Sequence, residues 1–407
     1  MPITTSGRRG PQVRSDCWIQ YEPREHGGIE VLIRSKVAAL YGRAIREQAE
    51  EVLRSLEVKS ARLEIEDAGA LPFVIGARIE SAVRRADLTP RPPQAGWLPP
   101  LKSGGQTTSA RERLRRSRLY LPGNEPKFML NAGLHKPDGV ILDLEDAVAP
   151  SEKDAAQVLV RNALRTVGFF GAERMVRINQ GDAGLEDLAW IIPNNVHTVL
   201  IPKVETPEQV IRVDRRITEL LVKDSESHAE VFLMPIIESA KGGINAFAIA
   251  SAASSVVALA IGLEDYTADI GVERTLEGRE SFWLRSQVVN AAKAAGVQAI
   301  DTVFSDVSDM EGLRTSARES KALGFEGRGC IHPRQIPVVH QAFAPTAAEL
   351  AKAQKIAAAF ETARKQGLGV VSLGSKMIDA PVVKRALRTV ELARAMGMVE
   401  KTQTYTG

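Results

Sequence analysis

Residues 232–271 read FLMPIIESAKGGINAFAIASAASSVVALAIGLEDYTADIG. Two apolar, β-rich runs, FLMPII and VVALAIG, are each followed by an acidic side chain, Glu238 after the first and Asp265 after the second. Each acid opens onto small residues and a helix-forming stretch. Strand, turn and helix twice over is the βαβ pattern, in which successive strands run parallel and their ends share one mouth. Two carboxylates on neighbouring strand ends are hard oxygen ligands. They suit Mg2+, which takes one or two protein carboxylates and keeps several waters. The stretch predicts a metal-dependent enzyme.

The same rhythm extends in both directions. SRLYLP, GVILDL, MVRIN, TVLIP, FLMPII, VVALAIG, QAIDTVF and GRGCIH recur over about 220 residues, mostly separated by helical stretches. Eight such units predict a (β/α)8 TIM barrel. An open doubly wound sheet would carry a glycine-rich phosphate turn after its first strand, and PGNEPKF does not fit that pattern. Barrel active sites gather at the C-terminal strand ends. Those ends hold Asp143, Glu145 and Asp146, then Arg177 and Asn179, Lys203 and Glu205, Glu238, Asp265, Asp301 and His332. Lone His332 reads as a structural group, and Cys330 as core, since no base is evident to activate its thiol.

Upstream, residues 1–14 are polar and read as a flexible N-terminus, and residues 15–86 as a small α+β domain. Its expected elements are strands at 16–21, 28–33 and 61–66 and an amphipathic helix at 37–56, with 73–86 continuing as strand and then helix. Residues 87–110, rich in Pro, Gly, Ser and Thr, read as a semi-flexible linker. The barrel then occupies 111–345, and the C-terminal helices 346–407.

Composition narrows the function class. The net charge is +3, and the densest basic stretch, ARERLRRSR at 110–118, has no interleaved aromatics, so no nucleic-acid partner is expected. No apolar run approaches the about 18–20 residues that span a bilayer. No secretory signal is evident, and two cysteines make no disulfide framework, which together give a cytoplasmic expectation.

RSRLYLPGN, GVILDLEDAV, VRIN, IPKVETP, PIIES, GLEDYTADIG, GFEGRGCIHPRQI and GSKMIDAP lie in family order over 116–395. They resemble the citrate lyase beta subunit and the malyl-CoA and citramalyl-CoA lyases of the HpcH/HpaI aldolase superfamily. SDCWIQYEP, SKVAALYGRAI and ALPFVIGARIESAVRRA resemble the citrate lyase gamma subunit, an acyl carrier protein. In that family a serine two positions before an aspartate carries the prosthetic group. Here Arg14 stands two positions before Asp16, with Ser15 between them. Either Ser15 has taken over the attachment or the domain carries nothing.

The resemblance implies cleavage of a 3-hydroxyacyl thioester, on CoA or an acyl carrier, into an acyl thioester and a 2-oxo acid. Glu238 and Asp265 match the Mg2+ ligands, and Arg177 the arginine that contacts the oxo-acid carboxylate. Arg116 is expected to stabilise the thioester enolate or bind a substrate carboxylate. Glu145 and Asp146 are expected behind the metal, holding its waters or orienting the arginines, and Lys203 and Glu205 are expected to pair across the strand mouths. Lys203 as a Schiff-base nucleophile is the rival, and the metal constellation makes an imine unnecessary. Asp379 matches a catalytic aspartate that arrives on a C-terminal lid from a neighbouring subunit, which implies a homo-oligomer, a trimer by analogy. Asp379 also precedes PVVKRALRTVELARA, where an aspartate suits a helix N-cap. A citrate lyase alpha-type acyltransferase is a further expected partner. Competing readings are a thioester hydrolase on the same metal site and a non-catalytic scaffold.

Overall fold

A computed structural model describes residues 2–87, 92–101, 107–223, 230–365, 371–373 and 376–399. They group into two compact units, Met1–Ile336 and Pro337–Gly407.

The first unit begins with the small α+β domain. Its strands are β1 (Thr4–Gly7), β2 (Cys17–Pro23), β3 (Ile29–Ser35) and β4 (Ala61–Asp67), and its helices α1 (Ala38–Ser55) and α2 (Pro72–Ala86). The sheet order is β1-β2-β4-β3, with β3 and β4 parallel and joined through α1. β4 alternates strictly: Ala61, Leu63 and Ile65 are buried, while Arg62, Glu64 and Glu66 are half-exposed. With Ile19, Tyr21, Val31, Val52, Leu53, Ile79 and Val83 they form one core.

Two expectations fail here. The supposedly flexible N-terminus supplies β1, which pairs antiparallel with β2 and donates from Thr4 Oγ1 to the Ala82 carbonyl (2.6 Å). Residues 73–86 are helix throughout, because Pro72 sits in the first turn and Phe73, Val74, Ile75, Ile79, Ala82 and Val83 recur at helical spacing.

The barrel strands are β5 (Ser117–Pro122), β6 (Gly139–Asp143), β7 (Glu173–Arg177), β8 (Thr198–Ile201), β9 (Phe232–Ile237), β10 (Ala258–Ile261), β11 (Gln298–Asp301) and β12 (Gly327–Cys330). All neighbours pair in parallel and β12 closes on β5. This is the eight-stranded barrel predicted, strand for strand. Ile141, Met175, Leu200, Met234, Ile236, Ala258, Ala260 and Ile300 fill its interior, with Tyr120 packed against them. Closure is tight at β12: a Cβ on Gly327 would stand 1.9 Å from the Arg115 carbonyl oxygen, and one on Gly329 2.6 Å from Val303 Cγ1. The helices around the strands are α3 (Pro126–Met129), α4 (Lys153–Thr166), α5 (Gly181–Ile191), α6 (Pro207–Lys223), α7 (Ala240–Ile244), α8 (Ala246–Ala250), α9 (Leu263–Asp269), α10 (Phe282–Ala294) and α11 (Met310–Leu323).

The α+β domain is fastened to the barrel through α2 and α4. Glu80 and Arg161 form a fully buried ion pair at 2.6 Å, and Asn162 Nδ2 donates to the Phe73 carbonyl. The expected semi-flexible linker is packed along 92–101. Arg161 donates to the Pro93 and Trp97 carbonyls and Arg165 to that of Pro99. Trp97 lies so close to Gly76 that a Cβ there would meet its ring at 2.4 Å. The rest of the linker at 88–91 and 102–106 lies outside the described residues.

α12 (Gln335–Phe343) leads into the second unit, which contains α13 (Ala347–Lys365), the hairpin β13 (Val371–Leu373) and β14 (Lys376–Ile378), and α14 (Ala380–Ala395). Ile356, Ala363, Ile378, Val383, Ala386 and Val390 form its core. Gly374 and Ser375 of the GSKMIDAP motif lie outside the described residues.

Candidate active site

A pocket of about 360 Å3 opens at the C-terminal ends of the barrel strands. Among its lining residues are Arg118, Tyr120, Asp143, Asp146, Arg177, Glu238, Asp265 and Thr302. The parallel register sets these groups at one end, because Asp143 closes β6, Arg177 closes β7 opposite it, and Glu238 directly follows β9.

Arg177 organises one wall. Its Nε and Nη2 donate to the two Asp143 oxygens at 2.7 Å each, a bidentate fork. Nη1 reaches Glu145 at 2.9 Å and Asp146 at 3.4 Å. Asp143 is held in turn by the backbone N–H groups of Glu145 and Ala147. Burial opposes the charge on Arg177, but the Asp143 hydrogen bonds outweigh it and hold the guanidinium above its ordinary range. Its centre stands 5.5 Å from the Tyr120 ring, within cation–π reach.

Lys203 ties this wall to the next. Its Nζ lies 3.3 Å from Glu145, 3.5 Å from Asp146 and 3.4 Å from Asp265. Its backbone is left-handed, at φ 50°. Partial burial disfavours the ammonium, yet Glu145, Asp146 and Asp265 together raise its pKa above the ordinary lysine value. A nucleophilic lysine needs the opposite shift. The imine reading therefore finds no support.

Glu238 is the least satisfied group. It is 5% exposed, and its Oε2 has no hydrogen-bond partner. Burial first, then the Asp265 charge, push its carboxyl up to about 8. A Cβ on Gly262 would fall 2.8 Å from Glu238 Cγ and Oε1, so only glycine leaves room for this carboxylate. A buried carboxylate with a free oxygen beside a second carboxylate has the donor chemistry that suits a divalent cation. Among the described residues no three His, Cys, Asp or Glu side chains are grouped around a common centre. The two carboxylates fit an ion that needs few protein ligands and takes the rest of its shell from other oxygens, a donor set that suits Mg2+.

Two expected residues stand elsewhere. Arg116 precedes β5 and so lies at the opposite, N-terminal end of the barrel, where it forks onto Asp138 at 2.8 Å through Nε and Nη2. It does not line the pocket, contrary to the expectation that it meets the substrate. The arginine of this segment that enters the pocket is Arg118, on the same strand face as Tyr120. Glu205 does not pair with Lys203. It accepts from Ser239 Oγ at 3.0 Å and meets Lys241 at 3.2 Å, bracing the turn that follows Glu238. Asp301 is turned to Arg285 and Ser320, which hold its carboxyl below the usual range despite burial. His332 Nδ1 accepts from the Arg334 backbone N–H, a structural role.

Asp379, in the second unit, is exposed and accepts from the Val382 N–H, capping α14. Ser15 is half-exposed at φ 58°, and its N–H donates to the Ala68 carbonyl. Next to it, Asp16 is locked by a bidentate Arg78, which also donates to the Asn124 carbonyl just beyond β5. The Ser15 turn is thus anchored at the same barrel end as the pocket.

Residues 116–333 match the HpcH/HpaI aldolase/citrate lyase family, and residues 9–86 match the ACP family described as malonate decarboxylase delta subunit (MdcD). The chain is 38% identical over 296 residues to the citrate lyase subunit beta of Leuconostoc mesenteroides subsp. cremoris, spanning 72% of this chain and 98% of that protein. It is 33% identical to the mitochondrial citramalyl-CoA lyase of Homo sapiens, over 69% of this chain and 86% of that one. Among solved structures it resembles the protein CitE from Mycobacterium tuberculosis in complex with magnesium, acetoacetate and coenzyme A. That match has a TM-score of 0.58 at 31% identity and covers 70% of this chain and 100% of that one. No helix of the described residues is long and apolar enough to cross a membrane. With its barrel, the two carboxylates at its mouth and these relatives, the chain belongs to the HpcH/HpaI aldolase/citrate lyase family of carbon–carbon lyases.

Proposed function

We propose that this lyase uses Mg2+ to cleave a 3-hydroxyacyl thioester of the citryl, citramalyl or malyl type into an acyl thioester and a 2-oxo acid. The observation that carries the reading is the buried, unpartnered Glu238 Oε2 beside Asp265 at the catalytic end of the barrel. When bound, Mg2+ supplies Lewis-acid polarisation of the substrate's hydroxyl and carboxylate oxygens. Glu238 and Asp265 would hold it, and Lys203, 3.4 Å from Asp265, would steady that carboxylate.

The scissile bond lies between the hydroxyl-bearing carbon and the α-carbon of the thioester. As the hydroxyl gives its proton to solvent water and becomes a ketone, the electrons of the breaking carbon–carbon bond pass to the thioester as an enolate. Arg177, fixed by Asp143, lends its positive charge to the carboxylate of the departing 2-oxo acid. Asp379 then returns a proton to the α-carbon, reaching the pocket of a neighbouring subunit in a homo-oligomer. Support for Asp379 comes from its place in the family motif. Ser15 either carries a prosthetic group or leaves CoA as the thioester carrier.

The test is incubation with citryl-, citramalyl- and malyl-CoA plus Mg2+, trapping the 2-oxo acid as a hydrazone. Stoichiometric 2-oxo acid and acyl-CoA are expected. Free CoA without any 2-oxo acid would mark a thioester hydrolase, and no reaction with any thioester would overturn the lyase assignment.

A further inference from the structure

Arg118 is the second residue of β5 and is 1% exposed. Its register neighbours are Gly139, the first residue of β6, and Gly329 of β12, so it lies deep in the barrel, below the mouth. It nevertheless lines the same pocket as Glu238 and Asp265. Its Nε has no hydrogen-bond partner, and its Nη1 donates to the Met234 sulfur at 2.9 Å, a weak acceptor. No carboxylate pairs with it among the described residues. The other arginine of the pocket, Arg177, is occupied by Asp143, Glu145 and Asp146, and the nearby acid Glu173 is taken by Arg115.

A buried guanidinium without an anion is costly, because its desolvation is repaid only by a paired charge. The pocket therefore contains one buried carboxylate oxygen and one buried cation, each unsatisfied. A single ligand satisfies both if it carries a metal-chelating end and a second anionic end. A 2-oxo acid held at the mouth by the cation that Glu238 and Asp265 would bind would extend its remaining carbons inward. A carboxylate on those carbons meets a planar fork that stays charged at any working pH. We propose that Arg118 is a specificity residue, receiving the second carboxylate of a dicarboxylic 2-oxo acid at the closed end of the pocket. This rests on the lyase reading above and selects among its substrates: the citryl type, which yields a dicarboxylic oxo acid, over the citramalyl type, which yields a monocarboxylic one.

The test compares wild type with Arg118→Met and Arg118→Lys in the presence of Mg2+. By titration calorimetry, wild type is expected to bind oxaloacetate at least about 10-fold more tightly than pyruvate. Arg118→Met should erase that preference, and Arg118→Lys should restore part of it. Turnover should follow, the citryl-CoA to citramalyl-CoA ratio of kcat/KM falling by about 100-fold in Arg118→Met. Ligand-free Arg118→Met should melt at or above the wild-type temperature, since a buried unpaired charge has been removed. Equal binding of the two oxo acids by wild type, or a parallel loss of both in Arg118→Met, would overturn the proposal. If no thioester is cleaved while the oxaloacetate preference holds, the lyase reading fails and Arg118 keeps its role.

Discussion

Glu238 makes the site sensitive to pH. Its carboxyl titrates near 8 in the fold against 4.5 for an ordinary glutamate. The folded chain therefore holds a proton that the unfolded chain has released. The contribution to stability is fully present below 4.5 and falls as pH rises through about 8. Mg2+ must displace that proton, so apparent affinity is expected to climb about tenfold per pH unit below 8 and then level off. Calorimetry in buffers of different ionisation heat should show close to one proton released at pH 7. Glu238→Gln should weaken Mg2+ by about 100-fold or more and abolish the release. An unchanged proton count in that variant would move the titrating group elsewhere. This pair was readable in the sequence because each acid follows an apolar strand run. Arg118 was not, because Arg116 and Arg118 share the same two-residue parity and only the start of β5 at Ser117 separates rim from interior.

At the scale of elements, the barrel was legible because strands such as β6, β8, β9 and β10 are buried on both faces and read as nearly unbroken apolar runs. The strand β1 escaped for the opposite reason. TTSG carries no apolar signal, and its place is set by pairing with β2 and by the Thr4 contact to Ala82. The linker misled in the same way: Pro and Gly predict extended chain, but they do not say whether its carbonyls find donors. Here Arg84, Arg161 and Arg165 supply them. The join between α2 and α4 depends on Glu80, which Arg84 and Arg161 both contact. Glu80→Ala leaves Arg161 buried without its anion and is expected to cost about 3–5 kcal/mol, read by urea unfolding. Replacing Glu80 and Arg161 together by methionine should recover most of that loss. A single variant at wild-type stability would show the pair to be dispensable.

At the scale of the molecule, two halves of the proposed chemistry sit in different compact units, the metal ligands in Met1–Ile336 and Asp379 in Pro337–Gly407. Asp379 is exposed and caps α14, a role that any good N-cap fulfils. Asp379→Asn keeps the cap, so a structural function predicts near wild-type turnover. Proton return predicts a fall in kcat of about 100-fold or more, with Mg2+ affinity nearly unchanged. The donation in trans has its own signature. Glu238→Gln and Asp379→Asn variants, each nearly inactive alone, should regain activity when mixed and reassembled. A site with an intact metal pair from one subunit then meets an intact aspartate from another. Cis donation leaves every site in the mixture with one defect, and no recovery follows. Sedimentation of the mixture fixes the number of subunits, and with it the fraction of sites that random assembly can repair.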